Sequence, residues 1–176
     1  MCIFFDRNFR LQLKKELSFY DMSIKARLLF RLSVYKGKYV KYLRYCEYCK
    51  NHKGLFFLLL YFYYNIFYMR LGYKLGYEIP LGTVDWGLKI YHMGSIIVNG
   101  KIGKNVTLYP GVCVGQKGDG NKPTIGDNCF LGLGSKIIGS VILGDNVIVA
   151  PNAVVVKDVP SNCTVGGVPA KIIKQR

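Results

Sequence analysis

From Val84 to Val159 an aliphatic residue returns at every sixth position. Val84, Ile90, Ile96, Ile102, Leu108 and Val114 keep this spacing, and the count restarts at Ile125 with Leu131, Ile137, Leu143, Val149 and Val155. Four residues after many of them stands a smaller or branched residue, among them Val106, Val112, Cys129, Ser135, Val141, Val147 and Ala153. A period of six is neither the helical 3.6 nor the alternation of a half-buried strand. It is the period of a hexapeptide solenoid, in which three hexapeptides close one triangular coil and the aliphatic residue of each points inward. Coils stacked at about 4.8 Å would make four of them about 19 Å tall. A single coil cannot bury its own core, so stacking must do it. Glycine often fills the second place (Gly103, Gly115, Gly126, Gly132, Gly144). These glycines are expected at corners, where positive φ is needed. An ordinary β-sandwich would not hold twelve aliphatic residues on one register.

The register breaks once. Between Val114 and Ile125 the spacing becomes eleven, and the segment Gly115–Pro123 (GQKGDGNKP) is accommodated there. A loop that leaves a solenoid and preserves its register is expected to line a binding face.

The pattern before the repeat is different. Residues 1–20 show no clear period. From Met22 to Tyr48 it turns helical: Ile24, Leu28, Leu32 and Tyr35 can share a face flanked by Lys25, Arg27 and Arg31, with Gly37 expected to interrupt the helix. Residues 54–69 (GLFFLLLYFYYNIFYM) carry no charge. At sixteen residues they fall short of the roughly 20 that a spanning helix needs, and their tyrosines suit a membrane interface. They read as an apolar helix that caps the solenoid, lies in a membrane surface, or does both. Residues 70–83 read as a glycine-containing linker into the first coil. The expected organisation is a helical region over 1–75 and a β-solenoid over 76–176.

Charge sharpens this division. Residues 1–75 hold fifteen Lys/Arg against four Asp/Glu, a net of +11, whereas residues 76–176 hold ten against six, a net of +4. The basic residues interleave with apolar runs and form no nucleic-acid motif, which points to an anionic membrane surface rather than nucleic acid. The start MCIFFDRNFR has a short apolar run and an acid where a basic region would stand, which predicts no cleavable secretion signal. The six cysteines are scattered, and Cys113, Cys129 and Cys163 read as small core residues in a reducing cytoplasm. Cys46 and Cys49 form a C-x-x-C, but His52 is the one nearby further zinc ligand, so they read as two cysteines on a helix face.

Of the two histidines, His92 alone lies within the repeat, two residues after inward Ile90. The segments GLKIYHMGSIIVNGKIGKNVTLYPGVCVGQ, PTIGDNCFLGLGSKIIG and VPSNCTVGGVPAKI resemble the serine acetyltransferase branch of the hexapeptide acyltransferases. They resemble still more closely the O-acetyltransferases of capsule and exopolysaccharide biosynthesis. The resemblance covers residues 76–174. It implies a left-handed parallel β-helix, a homotrimer with active sites between subunits, and acetyl-CoA as co-substrate with no metal. It makes His92 the general base and Glu78 the carboxylate that orients it, with Asp85 a poorer candidate. Coenzyme A contacts map to Gly115, Leu133, Gly134 and Ala150, with Lys136, Lys171 and Lys174 for its phosphates. Trp86, Asn121 and Lys122 fall to the acceptor.

One departure shapes the acceptor reading. Serine acetyltransferases carry an Arg-His pair where this chain has Asn121 and Lys122. The expected reaction is therefore acetyl transfer to a sugar hydroxyl of a surface polysaccharide or its lipid-linked precursor, at the inner face of the membrane through residues 22–70. Serine O-acetylation for cysteine biosynthesis is the alternative enzyme, and an inactive membrane-associated scaffold is the alternative of another class. A metal-dependent hydratase would need three histidines per site, and the solenoid has one.

Overall fold

The computed structural model describes residues 5–29, 32–118 and 120–175. Cys2, Arg31 and Asp119 lie outside the described residues. The chain divides into two compact units, Met1–Leu75 and Gly76–Arg176.

The first unit is helical. Helix α1 (Arg7–Leu17) begins where the Asp6 side chain accepts a hydrogen bond from the Phe9 N–H at 2.8 Å, an N-cap that satisfies one of the helix's orphan donors. Helix α2 (Ile24–Leu28) is capped in the same way by Ser23. Helices α3 (Leu32–Asn51) and α4 (Leu55–Leu75) pack through aromatic pairs. Ring centroids of Tyr45 and Tyr64 stand 4.7 Å apart, and those of Tyr42 and Phe67 5.2 Å apart. Helix α1 joins α3 through a buried ion pair in which Arg44 donates to both carboxylate oxygens of Glu16 at 2.8 and 2.9 Å, with Glu47 on its third nitrogen at 2.8 Å. The two carboxylates push the Arg44 pKa above its ordinary range, against the desolvation that works to lower it.

Three expectations are corrected here. Residues 22–48 are not one helix broken at Gly37: the division falls between α2 and α3, and Gly37 is internal to α3. A Cβ at Gly37 would strike Met22 and Tyr20, so this glycine lets the segment before α2 lie against α3. The proposed face is also not the buried one, since Ile24 and Leu28 are exposed and Ala26 and Val34 are buried. Residues 70–75 continue α4 rather than starting a linker, which makes that helix 21 residues long.

The second unit is a three-faced parallel solenoid. One face stacks β1 (Tyr77–Glu78), β3 (Ile96–Val98), β6 (Cys113–Gly115), β9 (Lys136–Ile138) and β12 (Val154–Val155). A second holds β4 (Lys101–Ile102), β7 (Thr124–Ile125) and β10 (Ile142–Leu143). The third stacks β2 (Lys89–Ile90), β5 (Thr107–Leu108), β8 (Phe130–Leu131), β11 (Ile148–Val149) and β13 (Cys163–Gly167), closed by the antiparallel β14 (Ala170–Gln175). All twelve predicted inward residues are at most 4% exposed.

Two details of the repeat differ from the sequence pattern. The second-place glycines Gly103, Gly126, Gly132 and Gly144 do not have positive φ. They are required because the next coil's backbone approaches too closely for a side chain: a Cβ on Gly126 would meet the Gly144 carbonyl carbon at 2.7 Å. Positive φ falls instead on other corner glycines, Gly111 and Gly134 among them, and on Asn105, Asn128, Asn146, Asn152 and Asn162, at 56° to 62° for the asparagines, the region that asparagine tolerates best among residues with a Cβ. The second difference is a slip at β3. Val98, not Ile96, pairs with Val114, while Ile96 pairs with Tyr77. The corner between inward Ile90 and Val98 is thus two residues longer than a hexapeptide, and the following one two residues shorter. His92 sits in the enlarged corner.

Candidate active site at one solenoid edge

The edge that joins the third face to the first carries four stacked corners: 91–95, 109–112, 132–135 and 150–153. Backbone hydrogen bonds tie each corner to the next, from Gly111 N–H to Ser95 O (2.6 Å), Gly134 N–H to Pro110 O (2.8 Å) and Asn152 N–H to Leu133 O (2.7 Å). His92 projects from the first corner and is exposed. Leu133 and Gly134 occupy the third, Leu133 half exposed at 49% and Gly134 at φ 68°. Ala150 begins the fourth, and its N–H donates to Val165 O at 2.8 Å. Lys136 starts β9 beside this edge and donates from Nζ to Gly134 O at 3.1 Å. The fold therefore places His92, Leu133, Gly134, Lys136 and Ala150 along one line.

The other candidates lie elsewhere on the same chain. Glu78 is exposed on β1, in register with Ile97. Gly115 ends β6 and accepts from Gly139 N–H at 3.0 Å. Asn121 and Lys122 belong to the loop between β6 and β7, across the first face from His92. Trp86 is half-buried at the edge joining the second face to the third, where its carbonyl accepts from Asn105 N–H at 2.9 Å. Lys171 and Lys174 are exposed on β14.

Around His92 the structure adds groups that sequence reasoning missed. The Tyr77 hydroxyl donates to the His92 carbonyl at 2.8 Å. Tyr77 is 6% exposed, and burial pushes its phenol well above the usual tyrosine range, so it stays a neutral donor. The Tyr91 and Tyr109 rings stack at 4.8 Å and 14°, and the His92 ring centroid lies 6.0 Å from that of Tyr109. Phe130 extends the column, 5.1 Å from Tyr109. Tyr91 and Tyr109 are eighteen residues apart, one full coil, which was a readable signal. The result is one imidazole on a rigid ladder, flanked by aromatic rings, above a line that holds Leu133, Gly134 and Ala150. Such a site can take a proton from an alcohol beside an extended ligand laid along the edge.

Residues 122–157 match the family described as Bacterial transferase hexapeptide (six repeats). A serine acetyltransferase of Staphylococcus epidermidis is 47% identical over 106 residues, covering 57% of this chain and 50% of that protein. The serine acetyltransferase of Staphylococcus xylosus is 44% identical, covering 57% and 49%. The chain thus spans about half the length of the curated relatives it matches. Among solved structures, the serine acetyltransferase of Brucella abortus in complex with coenzyme A superposes with a TM-score of 0.69 at 22% identity, covering 97% of this chain and 69% of that one. These relatives overturn the expectation of a polysaccharide acceptor, because at up to 47% identity they are serine acetyltransferases. The Asn121–Lys122 departure that motivated that expectation lies on the loop between β6 and β7, across the first face from the His92 edge of its own chain. The solenoid thus has the left-handed parallel β-helix fold of these structures, and its sequence is similar to the serine acetyltransferase-like branch of the hexapeptide-repeat acyltransferases.

Proposed function

We propose that this chain moves the acetyl group of acetyl-CoA to the hydroxyl of serine, with His92 as general base. The observation that carries the reading is the 47% identity to a serine acetyltransferase over 106 residues. A serine hydroxyl is a poor nucleophile at neutral pH, whereas an imidazole titrates near neutrality and can take its proton during attack. The serine oxygen bonds to the thioester carbonyl carbon, and the carbonyl oxygen becomes an oxyanion that a backbone N–H of the edge would stabilise. Collapse breaks the carbon–sulfur bond. The leaving thiolate takes the proton back from the His92 imidazolium, giving O-acetylserine and free coenzyme A. Glu78 would orient the imidazole and stabilise its charged form.

Leu133, Gly134 and Ala150 would line the pantetheine arm below His92, with Gly115 contacting the cofactor from the first face. Lys136, Lys171 and Lys174 would meet its phosphates. Trp86, Asn121 and Lys122 stand on other edges of the same chain, so they reach a histidine most directly if the edge of one subunit faces that of another. This supports a homotrimer with shared sites.

The test is product analysis of purified protein supplied with acetyl-CoA and L-serine. The reading predicts O-acetylserine in equal yield with free coenzyme A. Coenzyme A release that is independent of serine would reject it.

The helical unit supports a finer localisation, in the cytoplasm with peripheral contact to an anionic bilayer. Helix α4 is long and apolar enough to cross a membrane, and 17% of its most apolar window is buried. Leu55, Leu59, Phe62, Ile66, Met69 and Tyr73 form an exposed stripe on the side opposite buried Tyr64 and Tyr68. The net charge of +11 over residues 1–75 disfavours pairing with a second copy and favours anionic lipid. Sedimentation with phosphatidylglycerol vesicles but not phosphatidylcholine vesicles, lost in Phe62→Asp/Ile66→Asp, is expected. Equal recovery in the supernatant with both lipids would refute the contact.

A further inference from the structure

We infer that Tyr77 is a positioning residue for His92: its buried hydroxyl holds the histidine's carbonyl and fixes the enlarged corner from which the imidazole projects. The inference rests on the reading of His92 as the general base. The corner is two residues longer than the repeat because Val98 takes the register that Ile96 would hold. Extra backbone at a solenoid corner has no ladder partner of its own and must be tied by other means. Three bonds do this. Ile96 N–H donates to Gly76 O at 2.8 Å, and Gly111 N–H donates to Ser95 O at 2.6 Å. Both hold the far end of the corner. The Tyr77 hydroxyl, at 2.8 Å, is the bond that reaches His92 itself.

The choice of tyrosine is informative. Position 77 is 6% exposed, and phenylalanine would fill the same volume. A buried phenol needs a hydrogen-bond partner, and here that partner is the backbone of the candidate base. Strand β1 also comes close enough that a Cβ on Gly76 would meet the Gly94 carbonyl carbon at 3.3 Å. The strand that carries Glu78 is thus the one that clamps the histidine corner. General-base catalysis needs the ring within hydrogen-bond reach of the acceptor, and a shift of about 1 Å can cost on the order of 10²-fold in rate.

Tyr77→Phe in the full chain tests the clamp. The expected result is a fall of about tenfold in kcat for serine acetylation, with KM for acetyl-CoA within about twofold of wild type. In a His92→Ala background the same substitution should cause no further loss, because the two residues act as a unit. A second readout does not depend on the acceptor. His52→Gln leaves His92 as the single histidine, and its imidazole resonances should shift or broaden when Tyr77→Phe is added. An unchanged kcat, equal losses with and without His92, or unmoved ring resonances would each overturn the inference. If wild-type protein fails to acetylate serine, the proposed reaction falls, and the ring resonances still decide the role of Tyr77.

Discussion

Leu131→Ala probes the stacked core directly. Leu131 is fully buried, in register with Leu108 of the coil above and Val149 of the coil below. The substitution removes three carbons, a transfer loss of about 2.4 kcal/mol at about 0.8 per methylene. The cavity adds to this. The surrounding coils cannot close around it, because Phe130 N–H and Gly132 N–H are both bonded to the next coil at 2.9 Å. The destabilisation should therefore be about 3–4 kcal/mol, within the range of buried Leu→Ala changes. Urea unfolding followed by fluorescence measures it, since Trp86, the single tryptophan, lies in the first coil. Leu133→Ala, two residues away and 49% exposed, is the control and should cost under about 0.5 kcal/mol. A loss below about 1 kcal/mol for Leu131→Ala, or equal losses at both sites, would refute the inward register.

Ser135→Ala should be neutral or slightly stabilising in the same urea assay, because Ser135 is buried and its hydroxyl has no hydrogen-bond partner among the described residues. A loss above about 1 kcal/mol would reveal a partner. Arg44→Ala should destabilise the helical unit by about 3–5 kcal/mol by removing the guanidinium that neutralises the buried Glu16 carboxylate, read as faster amide exchange in α1. Unaltered exchange would contradict the coupling of α1 to α3. Among the described cysteines, Cys113 is half-buried, whereas burial pushes the thiols of Cys46, Cys49 and Cys129 up to about 12, 11 and 11. Iodoacetamide at neutral pH should label Cys113 before the other described cysteines, because reaction needs the thiolate and access. Prior labelling of Cys46 would contradict this burial.

The solenoid was legible because its core repeats one demand, an inward aliphatic residue on each face of each coil, and a period of six answers nothing else. Where two constraints compete, the pattern misled. Ile96 and Val98 are both aliphatic and both buried, so counting alone could not show that the strand slips by two and lengthens the histidine corner. The second-place glycines were assigned to positive φ, but the backbone clash between coils claims them, and the left-handed corners fall to asparagines and to other glycines such as Gly111 and Gly134. In the helical unit the capping signals were present and unread: Asp6 starts α1 and Ser23 starts α2. Gly37 signalled a break, yet the helix continues because tertiary packing overrides propensity. At the candidate site, His92 stood out as the repeat's single histidine, and Leu133, Gly134 and Ala150 fell on its edge. Tyr77 was invisible, since a hydroxyl that reaches fifteen residues along the chain to a carbonyl leaves no local pattern.

The most direct measurement compares wild-type protein with His92→Ala for serine-dependent release of coenzyme A from acetyl-CoA. General-base loss should lower the rate by roughly 10²- to 10⁴-fold while the variant keeps its urea midpoint. A folded His92→Ala protein that acetylates serine at the wild-type rate would contradict the assignment of the solenoid edge as the active site.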